Sequence, residues 1–412
     1  MTSDCKLYVG LSAVSDQEIT AVGLLKLVRR GVVESGEYAY GTRYLALPIA
    51  FALNPDHMPL KNVPMRIPER RLRDGGALPL TFRDALPDSW GRRVLEAQYG
   101  KNLDDIDVLL MTNEDRLGAL VFSDRLPMQA CTSDVKLVPL EAMALAVQRL
   151  EQSLDIPPEM RRLLQRGGTL GGARPKAAFV YDDRRWIAKF PAQGDDHDVE
   201  LLEFCMLKLA AMCGIEVPTV RLEKIHRGHA LLLLRFDREG HVGHERRIHY
   251  LSASALLDVP YESNGGSYVE LAQVLRRIAI DPVHDLDQLF RRMVFNLIID
   301  NTDDHVKNHG VLHVEGGRYK LSPAFDVVMQ LTNLGYQELA IGPGNNHSKI
   351  STVLEVAPYF GINALTAENI IQTMLTTVNE MSVPLIEQYG GDSSLKERVR
   401  ICLKRQHGIL YG

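Results

Sequence analysis

The chain has 412 residues, of which 45% are hydrophobic and 24% are charged, and its formal net charge at pH 7 is -5. A chain of this length can form two or three units that each bury a core. The composition is ordinary for a globular protein, and a net charge of -5 gives no reason to expect that the chain binds nucleic acid directly.

Cysteine usage and the first residues predict the compartment. The five cysteines form no CxxC pair and no disulfide-dense pattern, which favours a reducing cytoplasm. The opening residues, MTSDCKLYVG, lack the basic-then-apolar pattern of a signal peptide. No apolar run approaches the ~18 residues that a membrane-spanning helix needs. We therefore expect a cytoplasmic protein.

Hydrophobic periodicity predicts a mixed α/β unit over residues 1 to about 125. Strands are predicted over residues 6–10, 37–47 and 116–122, and helices over residues 92–99 and 104–111. In the second of these strands, Tyr38, Tyr40 and Tyr44 are taken as one half-buried face. None of these elements indicates a chemistry.

A glycine-rich segment follows predicted helices over residues 139–154 and 159–165. It places four glycines in the six residues 167–172, so its backbone could approach a ligand closely and its N–H groups could cradle phosphates. It matches neither the P-loop pattern nor the dinucleotide fingerprint, since no strand immediately precedes it. A flexible surface turn is the alternative interpretation of the same residues.

The next two predicted strands, residues 177–181 and 186–190, carry a lysine in an apolar setting. Lys189 lies between Ala188 and Phe190, which is unusual unless its ammonium meets a charge. A lysine at a sheet edge whose head reaches solvent is the alternative. The order of glycine loop, hairpin and strand lysine is that of the nucleotide-binding lobe of protein kinases.

A helix predicted over residues 198–213 supplies a partner for that lysine. Glu200 and Glu203 project on neighbouring sides of it, and one of them could pair with Lys189, as kinases require. Strands are predicted over residues 217–225 and 229–236, and mostly helices after about residue 245. A β-rich half followed by a helical half predicts an α+β fold.

The segment over residues 303–326 carries the clearest chemistry. Asp303 is followed by Asn308, by a predicted hairpin at Gly316–Gly317, and then by Asp326. Kinases use this order: one Asp orients and deprotonates the attacking hydroxyl, and the Asn and second Asp hold Mg²⁺. An isolated D-x-x-x-x-N spacing is more often a polar loop, so the interpretation needs the nucleotide site as well.

Two other kinds of site, a zinc site and an esterase-type nucleophile, have less support in the sequence. His305, His309 and His313 have a spacing of four, but the β-prone run after Gly310 disfavours one helix, and no thiol or carboxylate set completes a zinc site. No G-x-S-x-G is present, so an esterase-type nucleophile has no support.

Five motifs in order give the chain a family resemblance. It resembles the HipA family of serine/threonine kinase toxins, most specifically through residues 301–308, NTDDHVKN, and through residues 322–326, SPAFD. Residues 235–238, RFDR, look like the family's hinge, and residues 171–177, GGARPKA, look like its glycine loop. Residues 82–91 and 118–120 are similar to its N-terminal subdomain.

The resemblance implies an architecture. It implies an α+β, protein-kinase-like, two-lobed fold with a mixed α/β N-terminal lobe, an extra N-terminal subdomain and an all-helical C-terminal lobe. The subdomain would span residues 1–125, and the kinase N-lobe, with glycine loop and nucleotide lysine, residues 126–240. The C-lobe, with catalytic loop and metal site, would span residues 241–412.

The resemblance also implies a site for ATP and Mg²⁺. Asp303 would be the catalytic base, and Asn308 and Asp326 would hold the metal ion. The remaining nucleotide contacts would come from the glycine loop, the strand lysine and the hinge, namely Gly171, Gly172, Ala173, Lys176, Lys189, Leu234 and Phe236. Thr169 stands where family members often carry an autophosphorylated serine.

The family implies partners as well. Its members phosphorylate a translation component, typically an aminoacyl-tRNA synthetase, and are controlled by a small DNA-binding antitoxin, HipB-like, so that DNA is met only through the antitoxin. Two alternatives stay open from the residues alone. One is an ATP-dependent kinase of a small metabolite, and the other is a non-catalytic nucleotide-binding module of a repressor complex.

Overall fold

The computed structural model describes residues 2–12, 19–100, 103–112, 115–128, 138–152 and 174–412. The chain forms two compact units. The first unit comprises Met1–Trp186, Asp237–Leu251 and Leu312–Arg318, and the second comprises Ile187–Phe236, Ser252–Val311 and Tyr319–Gly412. The domain boundaries inferred from sequence at residues 125 and 240 stay a prediction.

An antiparallel sheet forms the centre of the first unit. Its five strands lie in the order β4-β3-β2-β1-β5. They span Thr2–Leu11 (β1), Thr20–Arg30 (β2), Val33–Tyr40 (β3), Met65–Arg71 (β4) and Leu120–Ser123 (β5). Alternate positions of β1 and β2, such as Leu7, Val9 and Leu25, are buried in the core together with Phe82, as period-two burial requires.

The predicted strand over residues 37–47 is wrong in its second half. The strand ends at Tyr40, and a short helix, α1, spans Thr42–Leu45 after Gly41. Tyr44 is nevertheless buried. Its hydroxyl donates to the Phe51 carbonyl at 2.9 Å and accepts from the Phe51 N–H at 3.0 Å, so the buried polar group has partners. A tertiary contact therefore replaces the strand that alternation alone predicts.

Three helices predicted for the first unit are confirmed, and a fourth, α2, was not predicted. α2 spans Leu80–Arg83, and the predicted helices are α3 at Ser89–Tyr99, α4 at Asp105–Met111 and α5 at Leu140–Glu151. Asp104 caps α4 by accepting from the N–H groups of Ile106 and Asp107, at 3.0 and 2.9 Å. The predicted helix over residues 159–165 lies outside the described residues.

Two hairpins follow in the first unit. β6 (Lys176–Tyr181) and β7 (Arg184–Lys189) turn through Asp182 and Asp183, and the last three residues of β7 belong to the second unit. β10 (Arg238–Glu239) pairs with β11 (Arg246–Arg247). The Asp237 carboxylate accepts from the Gly118 N–H at 2.7 Å, and Arg247 donates to the Gly118 carbonyl. The second half of the RFDR motif thus anchors the loop that leads into β5.

The second unit begins with a helix and a strand pair. α6 spans Val199–Met212, and β8 (Val220–Lys224) pairs antiparallel with β9 (His229–Leu234). The end of β7 lies on the other side of β9. The run Ala230–Leu233 in β9 is fully buried, as expected for a strand with neighbours on both sides.

Helices dominate the rest of the second unit. They are α7 at Ala253–Leu257, α8 at Tyr268–Ile278, α9 at Pro282–Ile298, α10 at Ile350–Val356, α11 at Ala364–Gln388 and α12 at Ser393–Tyr411. Helix α10 was not predicted. None of the helices within the described ranges combines the length and apolar character needed to cross a bilayer.

A hairpin interrupts the helices where the sequence predicts one. β13 spans Gly310–Glu315 and β14 spans Arg318–Leu321, with Gly316 and Gly317 at positive φ in the turn. A further short strand, β12 at Tyr250–Ser252, was not predicted. The region over residues 241–412 is therefore helical apart from short strands.

Candidate active site

The strand lysine is buried between two carboxylates of the second unit. Lys189 ends β7, and its Nζ donates to Glu203 Oε1 at 2.6 Å and to the Asp326 carboxylate. Glu203 lies on α6 and is buried, whereas the Asp326 side chain keeps 33% of its surface exposed. The sequence left Glu200 and Glu203 as equal candidates, and the packing of α6 selects Glu203.

The charge of this lysine is stabilised by its partners. Burial by itself would lower the pKa of Lys189, but Asp326 and Glu203 together raise the pKa above the usual value for a lysine. The ammonium therefore stays charged, and one cation faces two anions. Of these two carboxylates, Asp326 is the one that solvent reaches.

A sharp turn at Asp300 connects the end of helix α9 to the NTDDHVKN loop. Asp300 takes a left-handed conformation at φ 57°, just beyond the C-terminal end of α9. Its carboxylate accepts from the N–H groups of Thr332 and Asn333, at 2.8 and 2.7 Å. Two hydrogen bonds from a distant segment thus hold the turn that aims the loop.

Asp303 and Asp304 point into different surroundings. Asp303 is reached by solvent and Asp304 is buried. Desolvation by the protein around it raises the pKa of the Asp303 carboxyl; His305 lowers this pKa, and Asp326 and Asp304 raise it. A carboxylate with a raised pKa at the surface of a loop is suited to accept a proton.

Asn308 and Asp326 offer the oxygen atoms that a Mg²⁺ ion would need. The Asn308 Nδ2 group donates to the Asp303 carbonyl at 3.3 Å, which leaves the amide oxygen as its other polar end. Asp326 lies at φ 52°, a strained conformation for a residue with a side chain, while its carboxylate binds Lys189. Hard oxygen ligands of this kind fit Mg²⁺.

The buried Asp304 is the centre of a hydrogen-bond network. Its carboxylate accepts from the Tyr268 hydroxyl and from His309 Nε2, the latter at 2.9 Å. Burial by itself would raise the pKa of Asp304, but His309 and Tyr268 lower it below its ordinary value. Asp304 is therefore held as an anion behind the loop.

The same network reaches α9 and the SPAFD segment. Asn296 Nδ2 donates to the Tyr268 hydroxyl at 3.0 Å, and Asn301 Nδ2 donates to Asn296 Oδ1 at 3.1 Å. Asn301 Nδ2 also lies 3.4 Å from the Asp326 carbonyl. Arg292, one turn before Asn296, donates to the Ser322 carbonyl. Side chains of α8 and α9 thus support both functional segments.

A cavity of about 10 Å³ adjoins this network. Its polar lining includes Arg292, Asn296, Asp304, Asn308 and His309. Within the described residues, Nε and Nη1 of the buried Arg292 have no hydrogen-bond partner, and burial lowers the pKa of its guanidinium to about 10. The volume and the polar lining suit one water molecule.

The remaining predicted residues lie in several places. Leu234 ends β9, and the Phe236 ring packs against Phe325 with 5.5 Å between the ring centroids, both within the second unit. Lys176 begins β6 in the first unit and is buried. Gly171, Gly172, Ala173 and Thr169 lie outside the described residues.

The histidines with a spacing of four do not share one element. His305 precedes a single turn of 3-10 helix at Val306–Asn308, His309 binds Asp304, and His313 lies on β13. In the part of the chain that the structure describes, no cluster of three or more His, Cys, Asp or Glu side chains is arranged to hold a metal ion.

Sequence reasoning missed Tyr268, Asn296 and Arg292. All three are buried polar residues on helices that otherwise read as amphipathic. Their positions on the core-facing stripe were a signal, because a buried polar side chain needs a partner. The partner could not be named, since it lies on a different element.

Comparisons with known proteins assign both halves of the chain to one set of relatives. A model of the HipA-like C-terminal domain matches residues 168–381, just over half of the chain, and a model of the HipA N-terminal domain matches residues 18–123. The serine/threonine-protein kinase toxin HipA of Shewanella oneidensis is 25% identical over 242 residues, 52% of this chain and 54% of that protein. A Sinorhizobium fredii relative is 30% identical over 160 residues, 37% of this chain and 36% of its own length. The chain thus aligns with about a third to a half of the length of these curated relatives.

The fold has a solved counterpart. A structure of the Shewanella oneidensis MR-1 HipA, HipB and operator DNA complex matches with a TM-score of 0.71 and 17% sequence identity. The match covers 98% of this chain and 96% of that chain. At this identity the likeness shows the fold alone, which is α+β and protein-kinase-like, as the sequence predicted.

Proposed function

The chain belongs to the HipA family, and we propose that it is an ATP-dependent serine/threonine protein kinase of the toxin class. One observation carries the proposal: Lys189 is buried between Glu203 and Asp326. Protein kinases pair their phosphate-binding lysine with a helix glutamate and hold Mg²⁺ with an aspartate that follows the catalytic loop, which are the roles we propose for Glu203 and Asp326. Asp303 and Asn308 belong to the same unit, and the charge of Asp326 acts on Asp303.

Asp303 would act as the base. The oxygen of an incoming Ser or Thr hydroxyl forms a bond to the γ-phosphorus while the bond from that phosphorus to the bridging oxygen of ADP breaks. The hydroxyl proton passes to the Asp303 carboxylate, whose raised pKa brings it closer to the pH at which proton transfer is efficient. The contribution of the protein is mainly positioning and charge stabilisation.

Lys189 would bind the phosphates, and Asn308 and Asp326 would hold the metal ion. Glu203 would keep the Lys189 ammonium in place at the end of β7. Phosphate oxygens would then replace the Asp326 carboxylate as the second partner of that ammonium. When bound, Mg²⁺ neutralises the charge on the phosphate oxygens. The oxygen donors of Asn308 and Asp326 suit that ion.

The rest of the nucleotide site is proposed from the family resemblance. The glycine loop, with Gly171, Gly172, Ala173 and Lys176, would cover the phosphates, and Leu234 and Phe236 would frame the adenine. Packing of Phe236 against Phe325 supports the last assignment, because it ties the adenine side to the SPAFD segment. Thr169 is the proposed site of autophosphorylation.

The partners are proposed from the relatives. The solved counterpart contains HipA with HipB and operator DNA. We propose that this chain likewise binds a small DNA-binding antitoxin and meets DNA only through it. We propose as its substrate a protein of the translation machinery, such as an aminoacyl-tRNA synthetase.

A cytoplasmic location is proposed from the cysteines. Cys5, Cys205, Cys213 and Cys402 are free thiols, and burial raises the pKa of three of them, Cys205, Cys213 and Cys402, to about 12. Buried, unpaired thiols of this kind are typical of proteins in a reducing compartment.

The function is tested by Asp303→Asn. The chain is incubated with Mg²⁺ and ATP labelled at the γ-phosphate, together with a cell lysate as the source of acceptors. We expect labelled protein bands with the unmodified chain and a rate about 10²- to 10⁴-fold lower with Asp303→Asn, because the base is lost. Asp392→Asn is the matched control, since Asn caps α12 as well as Asp does.

Each alternative predicts a different result. Label that enters only small molecules would favour a metabolite kinase. ATP binding with no loss of γ-phosphate from the unmodified chain would favour a non-catalytic module, and equal rates for Asp303→Asn and Asp392→Asn would remove Asp303 from its proposed role.

A further inference from the structure

We infer that Tyr268 is a positioning residue for phosphoryl transfer: its hydroxyl holds Asp304, and Asp304 holds the peptide that carries Asp303. The inference rests on the proposed kinase function and extends it to a residue outside the motif-bearing segments. Tyr268 begins α8 and is completely buried. Its hydroxyl donates to the Asp304 carboxylate, which belongs to the residue next to the proposed base.

Asp304 is fixed from several directions. Its carboxylate accepts from Tyr268 and from His309 Nε2 at 2.9 Å, and its carbonyl accepts from the Leu339 N–H at 2.7 Å. Because one planar peptide group joins the Cα atoms of Asp303 and Asp304, anchoring Asp304 at its carboxylate and its carbonyl limits the backbone rotations that would reorient Asp303. His309, the other side-chain donor, is itself buried, so the position of the Asp304 carboxylate is set by two buried side chains.

Tyr268 is itself held in place. Asn296 Nδ2 donates to its hydroxyl at 3.0 Å, which directs the hydroxyl hydrogen toward Asp304. The Tyr268 backbone N–H donates to the Ala340 carbonyl at 2.9 Å, and the His309 ring packs edge-on against the Tyr268 ring with 5.1 Å between centroids. Loss of the hydroxyl alone would keep the ring and its packing.

Positioning and simple structural support predict different measurements. A structural hydroxyl lowers the stability of the fold when removed, and turnover per folded molecule stays the same. A positioning hydroxyl also lowers kcat, because small displacements of a reacting group are costly. It leaves the KM for Mg·ATP unchanged, since Lys189 and its partner Glu203 are not altered.

The test compares Tyr268→Phe with Tyr40→Phe. Tyr40 is a matched control because it is buried in the first unit, and its hydroxyl also donates one hydrogen bond, to the Met58 carbonyl, and accepts one, from the Leu53 N–H. We expect both variants to melt at a lower temperature. In the same assay with lysate proteins as acceptors and Mg·ATP varied, we expect the rate of γ-phosphate transfer at saturating Mg·ATP to fall about 10- to 100-fold for Tyr268→Phe only, with the KM for Mg·ATP within about twofold.

Three outcomes decide the question. Equal kcat values for Tyr268→Phe and Tyr40→Phe would overturn the inference while the kinase proposal stands. No γ-phosphate transfer from ATP to the lysate proteins by the unmodified chain would instead end the proposed function. If Tyr268→Phe does not fold, Asn296→Ala takes its place: it removes the donor to the Tyr268 hydroxyl, and an unchanged kcat in that folded variant would overturn the inference.

Discussion

Tyr40 in the first unit and Tyr268 in the second are both buried tyrosines whose hydroxyls make two hydrogen bonds, yet they serve different ends. The partners of Tyr40 are backbone groups of Leu53 and Met58, so its hydroxyl closes a loop onto the sheet. The partners of Tyr268 are side chains, Asn296 and Asp304. The buried hydroxyl of Tyr268 in the second unit therefore supports the loop that carries the proposed base, whereas the hydroxyl of Tyr40 supports only the fold.

Buried ion clusters occur in both units and differ in exposure. In the first unit, Arg185 contacts Asp115 at 3.0 Å and also contacts Glu245, and the two carboxylate side chains keep 9% and 14% of their surface exposed. In the second unit, Lys189 contacts Glu203 and Asp326, and the Asp326 side chain keeps 33% exposed. The cluster of the second unit therefore has a carboxylate that a metal ion from solvent could reach.

The largest effect is expected from Asp326→Ala, which removes the exposed carboxylate from the ion cluster of the second unit. It leaves Lys189 paired with Glu203 alone, so we expect the melting temperature to stay near that of the unmodified chain. We expect γ-phosphate transfer to fall below detection, because a proposed metal ligand is lost. Radiolabel transfer and thermal melting of the same sample measure both. Near-normal transfer would refute the metal assignment.

The next largest effect is expected from Lys189→Met, which removes the cation from the same ion cluster. It leaves Glu203 buried without its cation, so the free energy of unfolding should fall by about 3–5 kcal/mol. Lys26→Met is the matched control, because Lys26 forms an exposed pair with Glu37 at 3.7 Å and should cost no more than about 1 kcal/mol. Urea titration measures both, and equal losses would show that burial does not matter at Lys189.

The smallest effect is a difference in acid sensitivity. Burial lowers the pKa of His249 and of His313, both in the first unit, to about 4. The unfolded chain binds protons below about pH 6.5 that the folded chain excludes, so stability falls as pH drops from about 6.5 to about 4, by about 3 kcal/mol for His249. Asp304, in the second unit, has a lowered pKa, so the stability that it contributes is lost at more acidic pH. That loss begins only when the pH falls below 3.8, the ordinary pKa of an aspartate.

His249→Gln tests that expectation. Glutamine can still donate to the Leu53 carbonyl, which His249 Nε2 approaches at 2.8 Å, but it does not titrate. The dependence of the unfolding free energy on pH between about 6.5 and about 4 should become flatter in this variant. An unchanged slope, measured by urea titration across that range, would contradict the assignment to His249.

The motif residues could be predicted, and their supporting side chains could not. Asp303, Asn308, Asp326 and Lys189 stand out because their spacing and setting are local properties of the chain. Alternation over residues 37–47 misled, since Tyr44 is buried by the Phe51 backbone and not by strand pairing. The choice of Glu203 over Glu200 depended on how α6 packs.

The elements of the fold class, the order of the candidate site residues and the hairpin at Gly316–Gly317 can be read from local patterns, because they follow from backbone periodicity and short-range turn geometry. Tertiary structure alone decided that Lys189 meets Asp326, 137 residues away, and that Tyr268 meets Asp304, 36 residues away. Such contacts depend on how separate helices and strands pack, and no local pattern of side chains encodes that packing.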